Sequence, residues 1–140
     1  MIEELQQVLT DRAVDPVDAA LGLLEAEVDV LLSPSWATYL GSPLVCVARF
    51  GLLIRTTPAL RAHERESLER VSEVLADALA QRGFDGPEGW VTATAITGLW
   101  PVFYRSLHRE VQVEGANIDS VRSAVMSDVR RAAGRLRSGI

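Results

Sequence analysis

The chain contains no lysine. All 14 of its basic residues are arginine, and Asn117 is its single asparagine. The arginines are scattered, so the bias fits a GC-rich coding sequence better than any chemistry. Cysteine is nearly absent as well: Cys46 alone cannot form an intramolecular disulfide, and a reducing cytoplasm is the expected location. No run reaches the roughly 18 apolar residues of a membrane span. The longest candidate, PLVCVARFGLLI at 43–54, is interrupted by Arg49. The opening MIEELQQ lacks the basic start and apolar block of a signal peptide.

Chemistry-bearing motifs are missing too. There is no Gly-rich phosphate loop, CxxC pair, HExxH or GxSxG. An enzyme is therefore not expected, and neither are a cofactor or a metal. Asp18, Glu25 and Asp29 share one helix face, but no histidine joins them, and a solvated face opposite the core stripe explains them. His63 and His108 lie among Arg and Glu and read as solvated surface. Cys46, inside an apolar run, reads as a packed, inert thiol.

What is present is ordinary globular material. The 140 residues suit a single domain over 1–140, with 48% hydrophobic and 24% charged residues. The net charge of −5 argues against nucleic-acid binding by this chain alone. Its distribution is uneven. Residues 1–29 hold eight acids and only Arg12, whereas 121–140 hold Arg122, Arg130, Arg131, Arg135 and Arg137 against Asp128. Such a cluster suggests phosphate binding, but three of the five arginines fall in the last turns of a helix, where cations complement the helix dipole. Solvation with dipole complementarity is the better reading.

Punctuation divides the chain into about six helices, an all-α fold. A short segment covers 2–12. Asp15 caps a helix with Pro16 at its first position, and Val17, Ala20, Leu21, Leu24, Val28 and Leu31 follow at helical spacing. SPSWATYLGSP (33–43) reads as a loop holding one turn. Ser42-Pro43 opens a nearly all-apolar run to Arg55 that suits a helix or a buried strand. Thr57-Pro58 starts a helix with pairs such as Arg65–Glu69 and Glu66–Arg70, and a core stripe of Leu68, Val71, Leu75 and Leu79, stopped by Gly83. Asp85 and Glu88 form a capping box for a helix to about Glu110. After VEGAN, a last helix carries Ile118, Val121, Val125, Val129, Ala132 and Leu136 on one stripe.

One stretch resists this simple reading. Residues 94–107, TAITGLWPVFYRSL, are apolar or small almost all the way round, with Trp100, Phe103 and Tyr104 clustered about Pro101. In a helix interior such a proline removes a donor and costs about 3 kcal/mol. It also frees the carbonyl of Thr97, which then needs a partner.

The stretch FGLLIRTTPALRAHERESLERVSEVLADAL (50–79) resembles the regulatory domains of the tetracycline-repressor (TetR) family: an apolar helix, a TTPALR turn, then a long Arg/Glu-rich amphipathic helix. Residues 83–136 keep the family's order of a break, a hydrophobic helix and a final amphipathic helix. The resemblance implies helix at 43–55 and a domain that binds a small-molecule effector and forms a homodimer through its last two helices. DNA recognition would belong to a helix-turn-helix domain that these residues do not contain. The chain would then be the effector-binding and dimerisation domain of a one-component transcriptional regulator. The competing reading is an all-α dimerisation module without a ligand.

Within that frame the kinked helix lines an internal cavity through Trp90, Thr94, Thr97, Trp100 and Tyr104, with Arg49 and Phe50 opposite. Arg49 is the expected specificity handle, because it is the only charge between Leu44 and Ile54 and an unpaired buried guanidinium is costly. A snorkelling Arg49 is the equal alternative. Leu99 and Val102 are expected to face the partner subunit together with Val121, Val125, Val129 and Ala132.

Overall fold

Four prolines mark helix starts. Pro16, Pro43, Pro58 and Pro87 each occupy the first turn of a helix, where a missing N–H has no intrahelical partner to lose. A computed structural model describes residues 1–34 and 41–139. Residues 35–40 of the predicted loop turn lie outside the described residues. The described residues are all-α, in seven helical segments: α1 (Ile2–Leu9), α2 (Pro16–Leu31), α3 (Pro43–Thr56), α4 (Pro58–Ala80), α5 (Pro87–Thr97), α6 (Leu99–Glu110) and α7 (Ile118–Gly139). The 43–55 run is helical, and α3 and α4 meet at 97° across Thr57. Among the described residues no single helix is long and apolar enough to cross a membrane.

Several caps act as read. The Asp15 carboxylate accepts from the Val17 N–H at 2.7 Å, and the Ser42 hydroxyl accepts from the Val45 N–H at 3.2 Å. Gly83 takes a positive φ of 94°, with Phe84 N–H bonded to Leu79 O and Gly83 N–H to Ala80 O, the pattern of a Schellman stop. Asn117 and Ser120 exchange side-chain-to-backbone bonds at the start of α7. The Asp85–Glu88 box does not form. Pro87 sets the start of α5, so Gly86 becomes the cap and Asp85 falls outside the helix. Thr57 likewise makes no side-chain capping bond. Arg65–Glu69 and Glu66–Arg70 do not close into ion pairs among the described residues, and Arg70 turns to the Ser67 hydroxyl at 3.3 Å.

The expected single helix of 85–110 is two. It breaks at Gly98, and Pro101 then sits in the first turn of α6 rather than in a helix interior. The proline costs little there, because N–H groups of a first turn lack intrahelical acceptors. Thr97 at the end of α5 is buried against α4, where its hydroxyl donates to Ala93 O and accepts from the Ser72 hydroxyl, both at 2.8 Å.

α5 packs along α4, and the short connection 111–117 folds α7 back along α6. Trp100, Phe103, Leu5, Leu24, Leu75 and Leu107 form the centre of the core, each no more than 1% exposed. The charge asymmetry becomes an internal seam: Arg122 meets Glu25 and Asp29 at 3.0 and 2.6 Å, Arg130 meets Glu25 at 3.7 Å, and Arg137 pairs with Asp18. Asp18, Glu25 and Asp29 are thus ion-paired to α7 rather than simply solvated.

Candidate functional site: a cavity under one face of α6

A cavity of about 620 Å³ opens between α2, α3, α4 and α6. Helical spacing decides which side chains reach it. From α3 come Val47, Phe50, Gly51, Ile54 and Arg55, a stripe at steps of three and four. From α6 come Trp100, Pro101, Tyr104, Arg105, Leu107 and His108, and from α4 Leu60, His63, Glu64, Ser67 and Leu68. Glu27 and Leu31 of α2 and Met1 complete the wall.

Three of the predicted ligand residues are here. Trp100 is fully buried and donates its indole N–H to Met1 Sδ at 3.1 Å. Tyr104 stands edge-on to Phe103, with ring centres 5.2 Å apart at 83°. Phe50 is 53% exposed at the mouth. The other four are elsewhere. Arg49 is exposed and absent from the cavity wall, because two residues of helix turn it about 200° away from Val47. Arg55, on the lining stripe, holds the position that Arg49 was expected to hold. Trp90 is 54% exposed and Thr94 is exposed, its hydroxyl donating to Trp90 O at 3.0 Å. Thr97 is satisfied against α4. All three belong to α5, which pairs with α4 and contributes nothing to this wall.

The predicted interface residues are also redistributed. Leu99, Val121, Val125 and Val129 are each no more than 1% exposed and pack inside their own chain, so they are not surfaces a partner could touch. The stripe of α7 is satisfied by α6 and the rest of the core. Val102 and Ala132 are half-buried on the outer α6/α7 face.

Sequence reasoning missed one of the two histidines. His108, read as surface, is half-buried in the cavity wall, whereas His63 borders the same cavity from α4 and is exposed, as read. No local pattern announces His108: its ring packs against the α3 backbone at Gly51, where a Cβ would run into it, and the two residues are far apart in the chain. Burial, reinforced by the nearby Arg55 charge, holds the His108 pKa below its ordinary value. Burial also pushes the Tyr104 phenol up to about 12, with Glu27 and Glu64 adding to it. The Glu27 carboxyl is raised by burial, offset in part by the amino terminus.

The cavity thus offers a phenol that stays protonated and an imidazole that is neutral at pH 7, between apolar and aromatic walls. Neutral imidazole can donate from one nitrogen and accept at the other. Among the described residues no three His, Cys, Asp or Glu side chains converge as metal ligands. Compared with family models, curated proteins and solved structures, the chain matches none.

Proposed function

We propose that the chain is a small-molecule-binding regulatory domain, the effector-binding part of a one-component transcriptional regulator of the TetR type. The observation that carries the ligand-binding half is the 620 Å³ cavity, within the size range of small-ligand sites and walled mainly by apolar and aromatic groups with a few polar ones. The regulatory half rests on the 50–79 resemblance. In this reading Trp100 forms the floor, Phe50 the rim, and Tyr104 and His108 orient the ligand by hydrogen bonds. Arg55, rather than Arg49, supplies charge at the wall.

The test uses the neutral fluorophore 1-N-phenylnaphthylamine. One saturable site per chain is expected, weakened about tenfold or more by Ser67→Trp, which fills the cavity from α4, and measurably by Phe50→Ala at the exposed rim. Absence of saturable binding, or binding indifferent to both substitutions, overturns the proposal. A second reading, an all-α interaction module that pairs as a homodimer, is favoured by Val45, Leu52 and Leu53, which stand 40–54% exposed on α3. Sedimentation near the 15.3 kDa chain mass at micromolar concentration removes it.

A further inference from the structure

The arginines of α7 point two ways. Arg122, Arg130 and Arg137 turn to α2 and meet carboxylates there. Arg131 and Arg135 turn towards α6, where Arg105 and Arg109 meet them across an open groove of about 800 Å³. Helix periodicity produces this arrangement. Positions 102, 105, 106 and 109 of α6 and 128, 131, 132 and 135 of α7 are matching stripes at steps of three and four. The groove floor is small, formed by Ser106, Ala132 and Gly134, so nothing bulky covers the guanidinium groups.

One carboxylate stands among the four arginines. Asp128 accepts from the Ser106 hydroxyl at 2.7 Å, from Arg109 at 2.5 Å and from Arg131. Glu110 takes a further share of Arg109 at 3.0 Å. Arg105 and Arg135 have no carboxylate partner among the described residues. Four lining arginines less Asp128 and the adjoining Glu110 leave two positive charges, in a chain whose overall charge is −5. An isologous contact through this face would set the four arginines against the same four of a second copy, which disfavours it as a dimer surface.

We infer that the α6/α7 groove binds a small oligophosphate, a molecule carrying two or more phosphate groups. Guanidinium forks match phosphate oxygens two at a time, and arginines from two facing walls can hold more than one phosphate. Asp128 fixes Arg109 and Arg131 along the walls, while Arg105 and Arg135 are uncommitted and take the anion directly. Arg105 to Arg109 spans four residues, about 6 Å of helix rise, too short a track for the 6–10 phosphate contacts of an extended nucleic-acid site. Val102 and Ala132 provide too little apolar floor to anchor an acidic peptide. Arg105 also borders the cavity on the other side of α6, so the α7 pair Arg131 and Arg135, which lines the groove alone, separates the two sites.

Sodium tripolyphosphate, titrated calorimetrically at low and at physiological salt, tests it. One saturable site per chain is expected, weaker at the higher salt. Arg131→Gln with Arg135→Gln should weaken it about tenfold or more, as should Arg105→Gln, by removing charge-assisted bonds. Arg61→Gln with Arg65→Gln, which removes the same charge from the exposed side of α4, should leave it unchanged. If the α7 double variant does not fold, Arg135→Lys, which keeps the charge but loses the fork, must still weaken binding. No saturable site, equal weakening by the two double variants, or tighter binding of a single-stranded oligonucleotide than of tripolyphosphate overturns the proposal.

Discussion

The two faces of α6 carry interleaved residues and opposite chemistry. Trp100, Tyr104, Leu107 and His108 face the cavity, whereas Val102, Arg105, Ser106 and Arg109 face the groove, with Arg105 bordering both. On the inner face, burial drives the titratable groups towards their neutral forms. On the outer face charge is kept and shared: the Ser106 hydroxyl, ahead of Arg109 and Arg131, holds the Asp128 carboxyl below its usual range. One helix thus presents aromatic and apolar side chains to a cavity on one side and arginines to an open groove on the other. The difference comes from which neighbour covers each stripe.

The largest effect should come from breaking the inner face. Trp100→Ala removes a fully buried ring from the junction of core and cavity, and should cost about 3–5 kcal/mol in denaturant-induced unfolding. Next is Gly51→Ala. The added methyl has to displace the His108 ring, and a loss of about 1–3 kcal/mol is expected, together with altered cavity binding. Gly22→Ala is its control: a Cβ at this α2 position meets nothing, so the change should stabilise by about 0.5–1 kcal/mol through backbone entropy. If Gly51→Ala stabilises as much as Gly22→Ala, the close packing of α3 on His108 is wrong.

A smaller effect is expected from pH. The folded-state pKa of His108 is depressed, so near and below its ordinary value of 6.5 the unfolded chain binds more protons than the folded one. Its contribution is therefore fully present above pH 6.5 and is lost as pH falls through the lower folded value. Melting temperature should decline on acidification below pH 6.5, and His108→Gln should flatten that slope. The ion-pair seam between α2 and α7 should yield the least. Arg122→Ala breaks exposed pairs with Glu25 and Asp29, and its destabilisation should be small and vanish in high salt.

The sequence carried the helices because proline and glycine punctuate them. The all-α class and the starts at Pro16, Pro43 and Pro58 could be read from local chemistry, whereas the start at Pro87 was assigned to an Asp85–Glu88 box that does not form. The site was harder, because it depends on which helix covers which. Residues 94–107 look apolar on all sides, but Gly98 divides them, and α5 then spends its buried face on α4. Trp90, Thr94 and Thr97 went with α5, while Trp100 and Tyr104 stayed at the cavity. Arg49 and Arg55 differ only in helix phase, and no pattern within one helix says which phase faces inward. His108 looked polar by its neighbours in sequence, yet Gly51 and His108 are partners across space.

The central claim is that the inner face of α6, and not α5, borders a ligand cavity. The most direct measurement is the indole N–H spectrum of nitrogen-15-labelled protein during titration with 1-N-phenylnaphthylamine. Trp100 lies at the cavity floor, and Trp90 stands 54% exposed on α5. The indole signal of Trp100 should shift with saturation, while that of Trp90 stays in place. A Trp90 signal that moves while Trp100 does not would contradict the account.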